Sequence, residues 1–298
     1  MIVGLNESVI LPQKYRPKIV ARPELKVLIP EIEWVEEEET ALTRATGVII
    51  AVPPAYQPQL IAQCLRLPTL KYLLVEKPLA VSPVVAEQTL DMLHTSRKTF
   101  RIGYSFLETR WREAIRISEH TGRNKRVSID WHFMAHHFSR DLNNWKRYHP
   151  QGGGVLRFFG IHLVALLAMI GYDDVTESVL SGPSATEPDG WSAILVGSGL
   201  LACQLTIQSR STKEMFKIGI HSSQGKSELL TLKEPFALEY SGDPTPLDSR
   251  MHVLVKLLMT LKDADAYFYN LYKDTNLLWK KIETASVFIP SDQIKSNS

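Results

Sequence analysis

Cysteine is nearly missing from the chain: there are two, Cys64 and Cys203, far apart in sequence. Such a pair forms neither a disulfide framework nor a metal-ligand spacing, which fits a reducing cytoplasmic setting. Also missing is any uninterrupted apolar stretch of about twenty residues, the length a helix needs to cross a bilayer. The opening "MIVGLNESVILPQKYRPK" lacks the basic start, apolar run and cleavage site of a secretory leader. Neither sign of charge dominates. Lys and Arg number 34 against 32 Asp and Glu, and the basic residues are scattered, so no surface for nucleic acid or anionic membrane is indicated. There is no G-x-S-x-G elbow, phosphate-binding P-loop, paired-cysteine zinc site, internal repeat or low-complexity stretch.

What is present is an ordinary globular composition, 44% hydrophobic and 22% charged over 298 residues, long enough for two cores. The first third alternates short apolar runs with helical stretches. "TGVIIAVPP" and "KYLLVEKP" read as buried strands, because their apolar runs are continuous and each stops at proline. Between them "YQPQLIAQCLRL" reads as a helix, completing a strand-helix-strand unit of a parallel sheet. "SPVVAEQTLDMLHTSRK" predicts a helix with Ser82 as N-cap and Pro83 in its first position. "FRIGYSF" then reads as a strand and "ETRWREAIRISEHTG" as a helix stopping at Gly122.

Beyond residue 123 the pattern changes to alternating apolar and polar strands: "RVSIDWHFMA", "SAILVGSG", "LACQLTIQSR", "FKIGIHSSQGKSELL" and "FALEYSGD". Helices are expected at "GVLRFFGIHLVALLAMIG", "DSRMHVLVKLLMTLKD" and "NLLWKKIETASVFI". The expected fold is thus an α/β, Rossmann-like parallel-sheet domain over 1–104, followed by an α+β domain over 105–298 with a mainly antiparallel, open-faced sheet.

Two short segments carry chemistry. In a doubly wound sheet, ligands bind at the carboxyl ends of the strands. Pro53, Pro54 and Pro78 stand at such ends, and Glu76 and Lys77 sit beside the last of them. In an exposed turn Glu76-Lys77-Pro78 would be a solvated ion pair. At the end of a buried strand, desolvation lowers the pKa of Lys77 while Glu76 supports its charge. The second segment is the run Gly152, Gly153, Gly154 ahead of a helix containing His162. Glycines permit close approach of backbone to a ligand, and a histidine can shuttle a proton near neutral pH or simply pack in the core.

Taken together, "GVIIAVPPAYQPQLIAQCLRLPTLKYLLVEKPLAVSP" and "GGGVLRFFGIHLVALL" resemble the glucose-fructose oxidoreductase, inositol dehydrogenase and rhizopine-catabolism (Gfo/Idh/MocA) family. The likeness lies in the Glu-Lys-Pro signature and the Gly-Gly-Gly and Gly-Ile-His helix, and extends loosely from about Thr46 to Ile289. The resemblance implies NAD or NADP as cofactor, with hydride transfer to or from a hydroxyl or carbonyl of a sugar, sugar nucleotide or related polyol. It implies Lys77 and His162 as catalytic residues. Cofactor contacts are expected at Gly4, Pro53, Pro54, Glu76 and Pro78, and substrate contacts at Tyr104, Tyr148 and Gly153. It also implies a homo-oligomer assembled through the second-domain sheet.

Two departures pull the other way. Phe158 stands where the family places an aspartate, one helical turn before His162, and phenylalanine can neither orient an imidazole nor accept a proton. Lys77, His162 or a residue of "NNWKRYHP" such as Tyr148 or His149 must then carry any acid and base work. The G-x-G-x-x-G turn of dinucleotide folds is reduced to "GLNESV", with Asn6 and Val9 at its later glycine positions, and the first strand-helix-strand unit is short. Glu36 to Glu39 reads as a solvated acidic run. The alternative expectation is a degenerate relative without nicotinamide-dependent activity, acting as a binding or partner subunit, for example in a heteromer with an intact homologue. His132 and His136 share a strand face without a carboxylate or third ligand, so no metal site is expected.

Overall fold

The computed structural model describes residues 2–3, 9–117, 125–222, 225–239, 250–263 and 265–295. Two sheets organise them. The first contains β1 (Ile2–Val3), β2 (Val9–Pro12), β3 (Ile32–Val35), β4 (Gly47–Ile50), β5 (Tyr72–Val75) and β6 (Thr99–Ile102), in the order β3-β2-β1-β4-β5-β6. Strands β4, β5 and β6 are parallel and in step, with Ile50, Val75 and Ile102 side by side at their carboxyl ends. Those residues and Leu73 are buried, as continuous apolar strands covered on both faces must be. The helices Gln57–Leu65 and Pro83–Thr95 supply the crossovers, the second with Pro83 in its first turn and Ser82 as N-cap, as expected.

The first strand departs from this order. β1 pairs antiparallel with both β2 and β4, matching Val3 with Val9 and Ile2 with Val48. A parallel neighbour requires a crossover of a dozen or more residues, whereas a short connection can only return antiparallel. The stretch from Val3 to Val9 is of the short kind, so β1 runs against every other strand of the sheet.

The second sheet contains β7 (Arg126–Met134), β8 (Asp174–Gly182), β9 (Gly190–Val196), β10 (Ala202–Gln208), β11 (Arg210–Ser222), β12 (Gly225–Leu232) and β13 (Ser286–Pro290), in the order β12-β11-β7-β10-β9-β8-β13. It is antiparallel except where β10 meets β7 and β13 meets β8. Val127, Ile129 and Trp131 point into the core, while Arg126, Asp130 and His132 alternate onto the open face. Under the covered face lies the helix Ile161–Ile170, which is buried from Ile161 to Ala168 and is apolar on every side except at His162. The helix Asp265–Ala285 packs on this helix, on Pro83–Thr95 and on β8, so the end of the chain joins both sheets.

Three local expectations change. "FALEYSGD" is not a strand where described: Ala237–Glu239 is a 3-10 turn, and residues from 240 lie outside the described set. The turn buries the Glu239 carboxylate, which accepts from the Arg110 amide at 2.6 Å and from Lys256 at 3.2 Å. β8 was hidden by its exposed start, where Thr176 and Glu177 break the alternation. The helix expected over "NLLWKKIETASVFI" stops at Ala285, Ser286–Pro290 leaves it as β13, and a short helix, Ser291–Lys295, follows. Gly122, the expected helix stop, lies outside the described residues.

Candidate functional site

The carboxyl end of β5, beside that of β4, carries the Glu76-Lys77-Pro78 motif and faces Phe158 of the second half. The Glu76 amide donates to Ile50 O at 2.8 Å and the Gly103 amide to Val75 O at 2.7 Å, so the ladder continues to the motif. Gln57, fully buried, ties the two ends together: its Nε2 donates to Pro78 O at 3.1 Å and to Val52 O at 3.3 Å. The sequence shows Gln57 only as an ordinary helix start, and nothing local marks this role. Gly103 matters because a Cβ there would lie 3.3 Å from Glu76 Oε2, crowding the carboxylate. The Lys77–Pro78 peptide is cis.

Lys77 is half-buried, and its Nζ donates to Phe158 O at 2.6 Å. The same ammonium lies 3.9 Å from the centre of the Phe158 ring. Burial pulls its pKa down to about 7, opposed by Glu76 and reinforced by Lys146 and Arg250. Phe158 reaches this place because Val155–Gly160 is a π-helical turn, wider than an α-turn, leading into the helix of His162. The turn is fastened by Arg157. Its Nε and Nη2 donate to the two oxygens of Glu283 at 2.6 and 2.7 Å, and Nη1 to His149 O at 2.8 Å and to Val81 O. Trp279 Nε1 donates to the same Glu283 at 2.7 Å.

His162 is buried, with Nδ1 at 3.3 Å from Ser105 Oγ and its ring stacked on Phe106 at 5.0 Å. Burial, then the charges of Lys77 and Arg250, hold its pKa well below the usual 6.5, so the imidazole is neutral near pH 7. Ser105 thus partners the imidazole nitrogen for which the sequence offered no aspartate. It escaped sequence reasoning because it is distant in the chain and belongs to no motif.

The glycine run makes its close approaches to protein. Gly152, at φ +85°, would place a Cβ 2.9 Å from the Pro54 ring, so it seats the second half of the chain beside the end of β4. A Cβ on Gly153 would run into the carbonyl oxygen of Trp145 and come within 2.7 Å of the Lys146 carbonyl carbon. Trp145 meets the Phe158 ring edge-on at 5.3 Å. Tyr104 is buried against Tyr272 at 5.8 Å, and desolvation pushes its phenol above the ordinary range. The Tyr148 hydroxyl donates to Asn143 Oδ1 at 2.7 Å. His149 is brought down to about 4, chiefly by burial and then by Arg157.

On the side of β2 and β4 a cavity of about 900 Å³ opens, bordered at their carboxyl ends by Pro12, Val52 and Tyr56 and flanked by Lys18, Glu38 and Glu39. Glu38 accepts from Lys14 Nζ at 2.7 Å and from Tyr15 OH at 2.9 Å; Lys14 is the main cause that lowers its pKa. Gly4 lies outside the described residues. Among the described residues no group of three His, Cys, Asp or Glu side chains could hold a metal ion, and no helix is long and apolar enough to cross a membrane.

No protein-family model matches the chain, and no curated protein matches it. Solved structures do. The 3-ketoreductase KijD10 from Actinomadura kijaniata, in complex with NADP and TDP-benzene, superposes with a TM-score of 0.67 at 15% identity, covering 95% of this chain and 91% of that one. The WlbA dehydrogenase from Bordetella pertussis, with NADH and UDP-GlcNAcA, gives 0.64 at 11% identity over 93% and 88% of the two chains. An oxidoreductase from Thermotoga maritima gives 0.65 at 14% identity over 93% and 96%. These likenesses establish the fold: a Rossmann-like half followed by a large, mostly antiparallel sheet with helices.

Proposed function

We propose that the chain is a nicotinamide-dependent oxidoreductase acting on a hydroxyl or carbonyl of a carbohydrate. The observation that carries this reading is Lys77: an ammonium drawn down to about 7, at the carboxyl end of a buried strand, with Glu76 acting on it and a neutral His162 nearby enough to feel its charge. A lysine so placed donates to the oxygen of a substrate carbonyl and stabilises the negative charge that grows there. Its pKa near neutrality lets it release or recover that proton at working pH. His162, held by Ser105, offers Nε2 as a second proton carrier or as a hydrogen bond that orients the sugar. Trp145 and Phe158 supply rings on which the apolar face of a pyranose can rest.

The cavity beside β2 and β4 fits a nucleotide in size, and its carboxylates, Glu38 and Glu39, suit ribose hydroxyls. Lys18 supplies positive charge toward a pyrophosphate, a role that a glycine turn and helix start take in other dinucleotide folds. When bound, the cofactor supplies or takes up the hydride. The KijD10 and WlbA structures, which contain NADP and NADH, support this assignment for their shared fold.

Titration of the purified protein with NAD(H) and NADP(H) tests the reading. Binding below millimolar concentration is expected, and Lys77→Ala should keep that binding while turnover with sugar substrates falls at least about 100-fold. Failure of all four nucleotides to bind at millimolar concentration sinks it. A second reading, a non-catalytic binding subunit, is favoured by Phe158, whose carbonyl oxygen and ring already occupy Lys77. Nucleotide binding with no turnover of any sugar would favour that reading.

A further inference from the structure

Lys146 is a cation that the proposed chemistry leaves without a task. It sits in the 3-10 turn Trp145–Arg147, whose start is capped by Asn144 Oδ1 accepting from the Lys146 amide at 3.1 Å. Gly153 backs the same turn, since a side chain there would displace the carbonyls of Trp145 and Lys146. The ammonium of Lys146 lies 5.2 Å from the centre of the Phe158 ring, the ring that Lys77 approaches at 3.9 Å. Two ammonium groups thus share one aromatic ring. Lys146 is half-buried, yet among the described residues its Nζ makes no hydrogen bond or ion pair. Both lysines feel the positive charge of Arg250, and Glu76 is a carboxylate that acts against it on each of them.

Two half-buried lysines on one aromatic ring, with Glu76 as the carboxylate both feel, are costly unless a further anion completes the set. Trp145, which carries Lys146 on the next residue, presents its indole edge-on to Phe158 at 5.3 Å, so charge and aromatic surface lie together. We infer that the carbohydrate taken by this site bears a carboxylate or a phosphate, and that Lys146 is the residue that receives it. The anion would pair with Lys146 while the sugar ring rests against Trp145 and Phe158 and its oxygen meets Lys77. This inference rests on the carbohydrate part of the proposed function and not on hydride transfer.

Calorimetric titration of the full chain with glucuronate, glucose 1-phosphate, glucose and inorganic phosphate tests it without any cofactor. At least one of the two anionic sugars should bind about tenfold or more tighter than glucose, with an advantage that shrinks as salt is raised. Glucuronate reads the carboxylate and glucose 1-phosphate the phosphate. Lys146→Met should reduce the preferred anionic sugar to the level of glucose, and Lys146→Arg should retain the preference. Both variants are checked for native circular dichroism, and Lys146→Arg keeps the test decisive if the methionine chain fails to fold. Equal binding of glucose and both anionic sugars, unchanged preference in Lys146→Met, loss of preference in Lys146→Arg, inorganic phosphate binding as tightly as glucose 1-phosphate, or no sugar binding at all would each overturn the inference. An anionic preference without cofactor turnover would leave it standing and sink only the redox reading.

Discussion

The ammonium of Lys77 is held by a single residue twice over: its Nζ donates to the carbonyl oxygen of Phe158 at 2.6 Å and faces that residue's own ring at 3.9 Å. Backbone and side chain of one position therefore both address the lysine of the Glu-Lys-Pro motif. Phe158 lies in the π-helical turn Val155–Gly160, whose i→i+5 bonding makes it wider than an α-turn, and its carbonyl oxygen accepts from Lys77 there.

Replacement of Lys77 by methionine should stabilise the protein, and by an amount that depends on pH. The folded pKa of about 7 lies below the ordinary 10.5, so the unfolded chain binds this proton more tightly. Stability is then greatest above 10.5 and is lost as pH falls toward 7, below which the full cost of the buried charge is present. Lys77→Met removes that cost while keeping an unbranched side chain against the ring. A gain of about 2 kcal/mol at pH 6.5, shrinking steadily toward pH 10, is expected from urea unfolding once partial solvent exposure is allowed for. A pH-independent difference would show that Lys77 titrates in the folded protein as it does free.

Phe158→Asp should return the carboxylate that the family resemblance expects, next to an ammonium. A carboxylate within a few ångströms favours the charged lysine, so the pKa of Lys77 should rise from about 7 by one unit or more. If the site is catalytic, the pH at which turnover changes should move upward with it. Reductive methylation with carbon-13 formaldehyde, followed by NMR titration of the modified lysine, reads the first effect without requiring activity. An unmoved Lys77 would mean that the aspartate side chain leaves the site.

The extent to which the site was legible in the sequence follows from how local each signal is. Buried strands ending in proline announce themselves over a few residues, so β4, β5 and the site at Pro53, Pro54 and Glu76 could be read directly. The direction of β1 was not announced, because a short connection and a missing glycine turn show only that something is absent. Gln57, Ser105 and Lys146 escaped for another reason. Each acts on a partner distant in the chain, as Ser105 does on His162, and their residue types are common at helix starts and turns. The glycine run was visible, but its partners were not: Gly152 faces Pro54, a contact that only the packing of the two halves defines, and Gly153 faces the carbonyl of Trp145 in the preceding turn.

The ion pair of Arg157 with Glu283 is the device that fixes Phe158, and its removal should separate structural from positional consequences. Both side chains are largely buried, the two oxygens of Glu283 accept from Arg157 at 2.6 and 2.7 Å, and Trp279 shares the same carboxylate. Breaking such a pair on one side leaves an uncompensated charge, so Arg157→Met or Glu283→Gln alone should each cost about 3 kcal/mol. Arg157→Met combined with Glu283→Gln should cost less than the two single losses added together, by about 2 kcal/mol in a double-mutant cycle. A purely structural strut would show that coupling and nothing more. Because Arg157 immediately precedes Phe158 and also grips Val81 and His149, its loss should in addition loosen the ring from Lys77. The lysine would then regain solvent, and its pKa should climb from about 7 toward 10.5 in Arg157→Met. Arg157→Lys should restore charge but not the bidentate grip, recovering part of the stability while leaving the lysine shifted. Stability loss with an unmoved Lys77 would reduce Arg157 to a strut, and would place the hold on Phe158 in the aromatic packing of Trp145 and Phe159 instead.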